Sequence, residues 1–216
     1  MLFSKFKSLL SKVIDLPLPG IEAQKKMVPM FRVEELVKKP LDKKTAKKSA
    51  VLLLFYPNLH GETCFVLIER GLYNGVHSGQ ISFPGGKKEP NDITFWDTAL
   101  REAREEVGVS SSSEIEQVKT LSTFYIPPSN FIVFPFMGLI NTTPFFKKEV
   151  KEVEKIIEVP LYKLLDPSNE TTGTVKTSYA GEVDVPMYVF DDVKVWGATA
   201  TVLSEMKELI LTTLKE

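Results

Sequence analysis

The sequence predicts an α+β fold, a mixed β-sheet flanked by helices, from the order of three kinds of segment. Two apolar runs, residues 50–56 (AVLLLFY) and 64–70 (CFVLIER), are joined by the turn-rich PNLHGET and indicate a β-hairpin. Residues 94–108 then follow a helical period, strand-like runs occupy 117–125 and 131–140, and a last helix fills roughly 197–215. Strands, a helix, strands again and a closing helix are typical of a sheet covered by helices.

Shorter segments complete the predicted sheet. GQISFP (79–84) reads as a strand that Gly85 and Gly86 close, and the two prolines at 127–128 mark a turn between the later strands. EKIIEVPLYKLLD predicts a strand followed by a short helix, and VPMYVF (185–190) predicts a further strand.

The first 48 residues are predicted to form a helical arm and a lysine-rich segment, with the main domain at 49–216. Apolar residues at helical spacing form a stripe in the first thirteen residues, and a second helix is expected at about 21–38. We expect the stripe to pack on the domain, while a membrane-surface or targeting helix is the alternative. The stripe consists of Phe3, Phe6, Leu9, Leu10 and Val13.

Composition excludes several classes of protein. A formal net charge of −1 gives no global attraction to nucleic acid or membrane, and no run approaches the roughly 20 apolar residues of a spanning helix. Cys64 is the only cysteine, which fits a reducing compartment, and we expect a cytoplasmic protein. Only His60 and His77 occur as histidines, without a zinc spacing, so any catalytic metal needs oxygen ligands.

The helix predicted at 94–108 carries a concentration of carboxylates. Thr94 with Asp97 resembles a capping pair at its start, and Gly108 suits a left-handed residue at its end. The spacing of Trp96, Leu100, Ala103 and Val107 predicts the buried stripe. Beside that stripe, a second one gathers three acids, Glu102, Glu105 and Glu106.

Like charges at this spacing destabilise a helix, so a compensating group is expected. Pairing with Arg101 and Arg104 on a solvated face is one explanation. A divalent ion is the other, because Gly85 and Gly86 lead toward the helix and bring bare backbone close to the acids. Carboxylates, a backbone carbonyl and waters form an oxygen site suited to Mg²⁺ or Mn²⁺.

These residues resemble the Nudix box, whose usual form is Gly, five residues, Glu, seven residues, then Arg-Glu-apolar-x-Glu-Glu-x-Gly-apolar. Residues 101–109 (REAREEVGV) match its second half completely. The first half departs from it, because Asp92 stands where Glu is usual and one extra residue precedes Arg101. The resemblance implies a Nudix-type α/β/α sandwich.

The departure itself resembles the coenzyme A pyrophosphatase branch of that family, in which FPGGK and TALRE are separated by the same expansion. VLIERGLYNGVHSGQISFPGG also supplies Arg70, His77 and Gly79 of the branch's upstream motif, although Gly75 replaces its middle arginine and Gly71 a small polar residue. Looser similarity covers LPGIEAQKKMVP, YIPPSNFIVFP and WGATA, so the resemblance spans most of the chain.

The resemblance implies metal-dependent hydrolysis of coenzyme A or its acyl derivatives to adenosine 3′,5′-bisphosphate and 4′-phosphopantetheine. It makes Glu102, Glu105 and Glu106 ligands of Mg²⁺ or Mn²⁺, one of them or a later acid also being the general base, with Arg101 positioning a carboxylate. The Gly86 carbonyl and a further acid from 149–154, for which Glu152 is favoured, complete the ligand set. An exposed charged loop is the alternative for that acid.

Substrate contacts are implied for Arg70, His77, Gly85 and Gly86, each with a structural role as the alternative. The lysine run could meet the 3′-phosphate of coenzyme A, although a solvated run is favoured; it comprises Lys38, Lys39, Lys43, Lys44, Lys47 and Lys48. Aromatic residues in the later strands could stack on adenine, although core packing is more usual; they are Phe124, Tyr125, Phe131 and Phe134.

Three alternatives to the coenzyme A reading stay open on the sequence. An ADP-ribose or dinucleotide pyrophosphatase would use the same box, and Gly75 keeps that alternative open. A non-catalytic binding module would be expected to lose box acids, which this chain keeps. Nucleic-acid binding through the lysine run lacks an aromatic RNA motif. Nudix proteins dimerise in several ways, so a homodimer is also considered.

Overall fold

The computed structural model describes residues 1–29, 32–33, 45–72, 77–109, 114–177 and 181–215. Its helices are α1 (Phe3–Asp15), α2 (Ile21–Gln24), α3 (Phe95–Val107), α4 (Leu161–Leu165) and α5 (Gly197–Lys215). Its strands are β1 (Lys47–Pro57), β2 (Thr63–Arg70), β3 (Ile81–Ser82), β4 (Gly85–Lys87), β5 (Glu116–Thr120), β6 (Phe124–Ile126), β7 (Phe131–Leu139), β8 (Val153–Pro160), β9 (Glu170–Thr177), β10 (Gly181–Phe190) and β11 (Val193–Trp196).

Strand β1 is central to the main sheet and makes it mixed. It pairs antiparallel with β2 through its second half, as the predicted hairpin requires, and antiparallel with β4 through its first half. Its other edge pairs in parallel with β7 along nine residues. Strands β3 and β8 add to β2, whereas β5 and β6 add to β7. The predicted mixed sheet is therefore confirmed.

Side chains on β1 alternate between two cores, which places helices on both faces of the sheet. Leu53 and Phe55 pack in the core that contains α1 and α5. Leu52 and Leu54 face the opposite way and pack in the core that contains α3. Since successive side chains of a strand point to opposite faces, a fully buried strand needs cover on both sides. The result is the expected α/β/α arrangement.

The amino-terminal helix α1 is part of the larger of these cores. Phe3, Phe6, Leu10 and Val13 are buried, and the Phe6 and Phe55 ring centroids are 4.8 Å apart. Four of the five residues of the predicted apolar stripe are therefore buried, whereas Leu9 is half-buried. Among the helices in the described ranges, none is long and apolar enough to cross a membrane.

Three predicted elements differ from the structure. The strand expected at 117–125 is two strands, β5 and β6, which both pair with β7; between them, Leu121 donates its amide to the Pro135 carbonyl of β7. The strand expected at 79–84 is shortened to Ile81–Ser82. The helix expected at 21–38 gives way after Gln24 to a 3₁₀ turn over Lys25–Met27 and extended Val28, and most of its remainder lies outside the described residues.

A second sheet was only partly predicted. Its three antiparallel strands are β9, β10 and β11, and residues 185–190 belong to β10. Strand β9 reads ETTGTVKT and is mostly exposed, so it lacks the apolar alternation on which a strand prediction depends. Its pairing with β10 therefore became visible only in the folded structure.

Candidate active site

Helix α3 begins and ends as the sequence predicted. The Thr94 side chain accepts from the Asp97 amide, while the Asp97 carboxylate accepts from the Thr94 amide, forming a capping box. Gly108 ends the helix in the left-handed region, at φ 71°. These local signals fix both helix ends and so set which side chains face the sheet.

The three box glutamates do not share one environment. Glu106 is 1% exposed, and its carboxylate accepts from the Gly85 amide at 2.8 Å and from Arg70 Nη1 at 3.3 Å. The Glu102 side chain is 13% exposed, whereas that of Glu105 is 53% exposed. Residues four apart differ by only about 40° around a helix, so Glu102 and Glu106 face inward together. The expectation that all three face together is therefore wrong for Glu105.

Arg101 connects these acids to Asp92. Its Nε and Nη2 donate to the Asp92 carboxylate at 3.0 and 3.1 Å. Its Nη1 donates to Glu105 at 2.8 Å, and its Nη2 lies 3.0 Å from Glu102 Oε1. Arg101 thus contacts three carboxylates at once, and its role in orienting them stays a prediction.

Asp92 is a site residue that the sequence showed only as a departure from the box. It is 7% exposed and also accepts from Thr98 Oγ1 and the Glu89 amide, both at 2.9 Å. The hydrogen bonds from Arg101 hold the pKa of Asp92 down, at about 2. Its aspartate occupies the place of the usual box glutamate, and that position was the available signal.

The glycine pair lies tightly between β1 and α3. A Cβ on Gly86 would stand 2.3 Å from Glu102 Oε1, so Gly86 touches the carboxylate directly. A Cβ on Gly85 would stand 2.4 Å from the Ala50 carbonyl oxygen and 2.7 Å from Val51 Cα. Bare backbone is therefore required at both positions, for different reasons.

We expect Gly86→Ala and Gly85→Ala to have different effects. In Gly86→Ala the flexible end of Glu102 can move aside, so the fold should persist while activity falls by about tenfold or more because a candidate ligand is displaced. In Gly85→Ala the new methyl meets β1 backbone, so the free energy of unfolding should drop by about 2 kcal/mol. Urea unfolding and turnover measured on both variants test this, and equal losses of stability would contradict it.

Glu152, the favoured additional acid, lies near the inward-facing glutamates. Its carbonyl accepts from the Gly71 amide at 2.8 Å, directly after Arg70 at the end of β2. Its negative charge contributes to raising the pKa of both Glu102 and Glu106. Its own side chain is exposed. The structure thus brings Glu152 close to Glu102 and Glu106, although a long stretch of chain separates it from them in the sequence.

Burial is the main cause of the raised pKa values of Glu102 and Glu106, the two inward-facing acids. It raises the pKa of Glu106 to about 7, against the lowering effects of Arg70 and the Gly85 amide. Burial also raises the pKa of Glu102, which Arg101 opposes. The locality holds five acids, which are Glu102, Glu106, Asp92, Glu105 and Glu152, but only two arginines, Arg70 and Arg101.

This donor set fits the chemistry of a hard divalent cation. Carboxylate oxygens and the Gly86 backbone are the ligand types that Mg²⁺ and Mn²⁺ prefer, and the excess negative charge favours a cation. In the arrangement shown, positive charge beside Glu102 and Glu105 comes from Arg101. Across the described ranges, no three His, Cys, Asp or Glu side chains already surround a common point.

A cavity of about 440 Å³ opens beside the glycine pair and is the size of a small-molecule site. Among its walls are the predicted substrate-binding residues Arg70, His77, Gly85 and Gly86. His77 Nδ1 lies 3.0 Å from Gln80 Oε1, which orients the ring. The structure therefore brings all four residues to one cavity, and two of them, Arg70 and Gly85, contact Glu106.

Three residues that line this cavity each have a buried side-chain atom without a hydrogen-bond partner within the described part of the chain. The three atoms are Arg70 Nε, Ser82 Oγ and Ser129 Oγ. An unpaired buried polar atom costs free energy, so such atoms are usually satisfied by water or by a ligand. Nothing in the sequence marked the two serines, because their strand and turn positions are ordinary.

The lysines and aromatic residues that the sequence suggested as substrate contacts lie in different parts of the protein. Lys38, Lys39, Lys43 and Lys44 lie outside the described residues, as does Gly75. Phe124 and Phe131 line the cavity, whereas Phe134 stacks on Phe95 with centroids 3.8 Å apart and the Tyr125 hydroxyl donates to Asn130. Of the two residues at the cavity, Phe124 is buried and Phe131 is half-buried.

Carboxylates beside bare backbone, two arginines and a ligand-sized cavity are typical of a site that binds phosphate groups through a divalent ion. The chain matches the family model described as NUDIX domain over residues 26–174, and it therefore belongs to the Nudix family. Enzymes of this family hydrolyse pyrophosphate bonds in nucleoside diphosphate derivatives and generally use divalent metal ions.

Relatives and solved structures agree with this assignment. An uncharacterized Nudix hydrolase NudL of Yersinia enterocolitica is 31% identical over 153 residues, which cover 69% of this chain and 75% of that protein. The Yersinia pestis protein of the same name is 28% identical over 171 residues, which cover 77% of this chain and 81% of that protein.

Two solved structures share the fold. The Nudix hydrolase RenU from M. smegmatis has a TM-score of 0.54 at 14% identity, covering 77% of this chain and 87% of its own. A MutT/nudix family protein from Enterococcus faecalis has a TM-score of 0.53 at 16% identity, covering 90% and 78%.

Proposed function

We propose that this Nudix hydrolase cleaves the diphosphate bond of coenzyme A or its acyl derivatives. The products are adenosine 3′,5′-bisphosphate and 4′-phosphopantetheine or its acyl form, and Mg²⁺ or Mn²⁺ is the cofactor. A lone, buried thiol at Cys64 fits a reducing compartment such as the cytoplasm.

One observation carries the proposal: the segment that resembles the coenzyme A branch forms a wall of the cavity. Arg70, His77, Phe83, Gly85 and Gly86 all come from VLIERGLYNGVHSGQISFPGG. Two looser points of resemblance, YIPPSNFIVFP and WGATA, supply further walls across the cavity. Residues far apart in the sequence thus converge around one ligand-sized space, which supports a shared substrate as the reason for their resemblance.

The chain's own groups have distinct roles in this proposal. Glu102, Glu105, Glu106, Glu152 and the Gly86 carbonyl would hold the divalent ion, which when bound neutralises phosphate charge and activates water.

Arg101 orients two of these carboxylates, and Asp92 holds Arg101 in turn. Arg70 lines the cavity, has one nitrogen on Glu106 and has a buried Nε without a partner among the described residues, so it is placed to bind a diphosphate oxygen.

The test is to incubate the protein and its Glu105→Gln variant with Mg²⁺ or Mn²⁺ and, separately, coenzyme A, ADP-ribose and NADH. Products are followed by chromatography and phosphorus NMR. Release of adenosine 3′,5′-bisphosphate and 4′-phosphopantetheine by the wild type, lost in the variant, is the expected result. Preferential AMP release from ADP-ribose or NADH would overturn the substrate assignment, and no cleavage at all would favour a binding module.

A further inference from the structure

The cavity has two chemically different ends, and the alternation of β1 identifies one of them. Ser49 and Val51 line the cavity, so Lys47 lies on the same face of the strand. Its Nζ is 5.6 Å from the centroid of Phe131, which also lines the cavity. Lys87 lies opposite Ser49 in the β1–β4 register and lines the cavity too.

We call this end the mouth; it consists of Lys47, Lys87, Ser129 and Phe131. Both lysines are exposed, and neither forms an ion pair among the described residues. The buried Ser129 hydroxyl is also unpaired within those ranges. A cationic, aromatic end with a spare hydroxyl matches a phosphorylated nucleoside, whose base can stack and whose phosphate needs positive charge.

The opposite end is mostly apolar. We call it the inner end; it consists of Ser82, Trp196, Ala198, Thr199 and Val202, at β3, the end of β11 and the start of α5. The Thr199 hydroxyl donates to the Ile81 carbonyl, whereas Ser82 Oγ is buried without a partner in the described ranges. A mostly apolar slot with one unpaired hydroxyl matches a thin arm of methylene and methyl groups that carries amides.

Arg70, Gly85 and Gly86 lie at the cavity beside the carboxylates, so the reacting diphosphate belongs beside them. We propose that the cavity binds coenzyme A in one direction, with its adenosine 3′-phosphate at Lys47 and Lys87 and its pantetheine arm toward Ser82. This inference rests on the proposed function and adds to it the residues that distinguish coenzyme A from other nucleoside diphosphates.

The first test compares coenzyme A with dephospho-coenzyme A, which lacks only the 3′-phosphate. In Lys47→Ala and in Lys87→Ala, kcat/KM for coenzyme A should fall by about tenfold to a hundredfold, mostly through KM, because a charge-assisted contact is lost. For dephospho-coenzyme A it should change by less than about twofold. Equal losses on both substrates, or no loss on coenzyme A, would overturn the assignment of the lysines.

Lys48→Ala is the matched control for these variants. Lys48 is the next residue of the same strand and is also exposed, but its Nζ lies over Phe95 of α3, 6.0 Å from the ring centroid and on the other face of the sheet. It should leave both substrates unaffected. A loss on coenzyme A equal to that of Lys47→Ala would show a diffuse charge effect and overturn the proposed contact.

The second test measures inhibition by each of the two products and so determines the direction in which coenzyme A binds. Ser82→Ala should weaken inhibition by 4′-phosphopantetheine about fivefold to tenfold and leave inhibition by adenosine 3′,5′-bisphosphate unchanged, whereas Lys47→Ala should do the reverse. The opposite pattern would overturn the direction.

Ser82→Ala should not lower Tm, because it removes an unpaired hydroxyl; a fall in Tm would assign Ser82 a structural role instead. If wild type cleaves coenzyme A but these patterns are absent, only this inference fails; if it cleaves no coenzyme A, the proposed function fails first.

Discussion

Glu106→Gln is expected to lower turnover by about 10²–10³ with Mg²⁺ while the protein stays folded. Glu106 is 1% exposed, and its two oxygens accept from Arg70 and from the Gly85 amide; a glutamine of the same shape keeps one acceptor and replaces the other with a donor. The substitution therefore removes the negative charge and little of the packing. Steady-state kinetics at saturating Mg²⁺ measures the effect.

The same variant is also expected to change how the stability of the metal-free protein depends on pH. Burial raises the pKa of Glu106 to about 7, so the folded protein holds this proton more tightly than the unfolded chain, whose glutamates titrate near about 4.3. Stability of the metal-free wild type is therefore lost as pH rises from about 4 to 7. The Tm of metal-free Glu106→Gln should equal or exceed that of wild type at pH 8, which calorimetry can check.

Glu116→Gln is the control for this prediction, because Glu116 is an exposed glutamate on β5. It should change neither turnover nor Tm. Turnover of Glu106→Gln within about twofold of the wild type would show that the buried carboxylate is not part of the catalytic apparatus. A large loss of Tm would show that its pairing with Arg70 is structural.

Asp92→Asn is expected to destabilise the protein by about 2–4 kcal/mol and to lower turnover as well. Asp92 is 7% exposed and holds Arg101 through two hydrogen bonds, and Arg101 in turn holds Glu102 and Glu105. Removing the charge leaves a partly buried guanidinium without its best partner and frees the carboxylates it orients. Urea unfolding and kcat, measured on the same preparations, test both effects.

The stability difference should depend on pH in a fixed direction. The pKa of Asp92 is lowered to about 2 in the folded protein, against about 3.9 in an unfolded chain. The stabilisation from Asp92 is thus fully present above about pH 5 and is lost as pH falls toward 2. Wild type and Asp92→Asn should converge between pH 5 and 2.

Asp192→Asn, at an exposed position, should match wild type at every pH. A stability gap between wild type and Asp92→Asn that persists at pH 2 would assign the effect to packing rather than to charge.

The sequence by itself determined the local parts of this protein. Helix α3 was predicted with both of its ends, because capping residues and helical periodicity act within a few residues. The hairpin of β1 and β2 and the closing helix followed from equally local patterns. Arg101 and the box glutamates were recognised because the motif lies almost wholly on one helix, where spacing in sequence is spacing on a surface.

Only the tertiary structure decided which of those residues share an environment. Glu106 is buried and Glu105 is not, because the β1–β4 edge covers one side of α3. Asp92 became the anchor of Arg101 through a loop whose shape no local pattern encodes.

The cavity brings β1, β3, the turn after β6 and the start of α5 together from distant parts of the chain. Lys47 and Lys48 differ only by the sheet face that each one meets. Burial and pairing are properties of the assembled layers, and no stretch of sequence holds them alone.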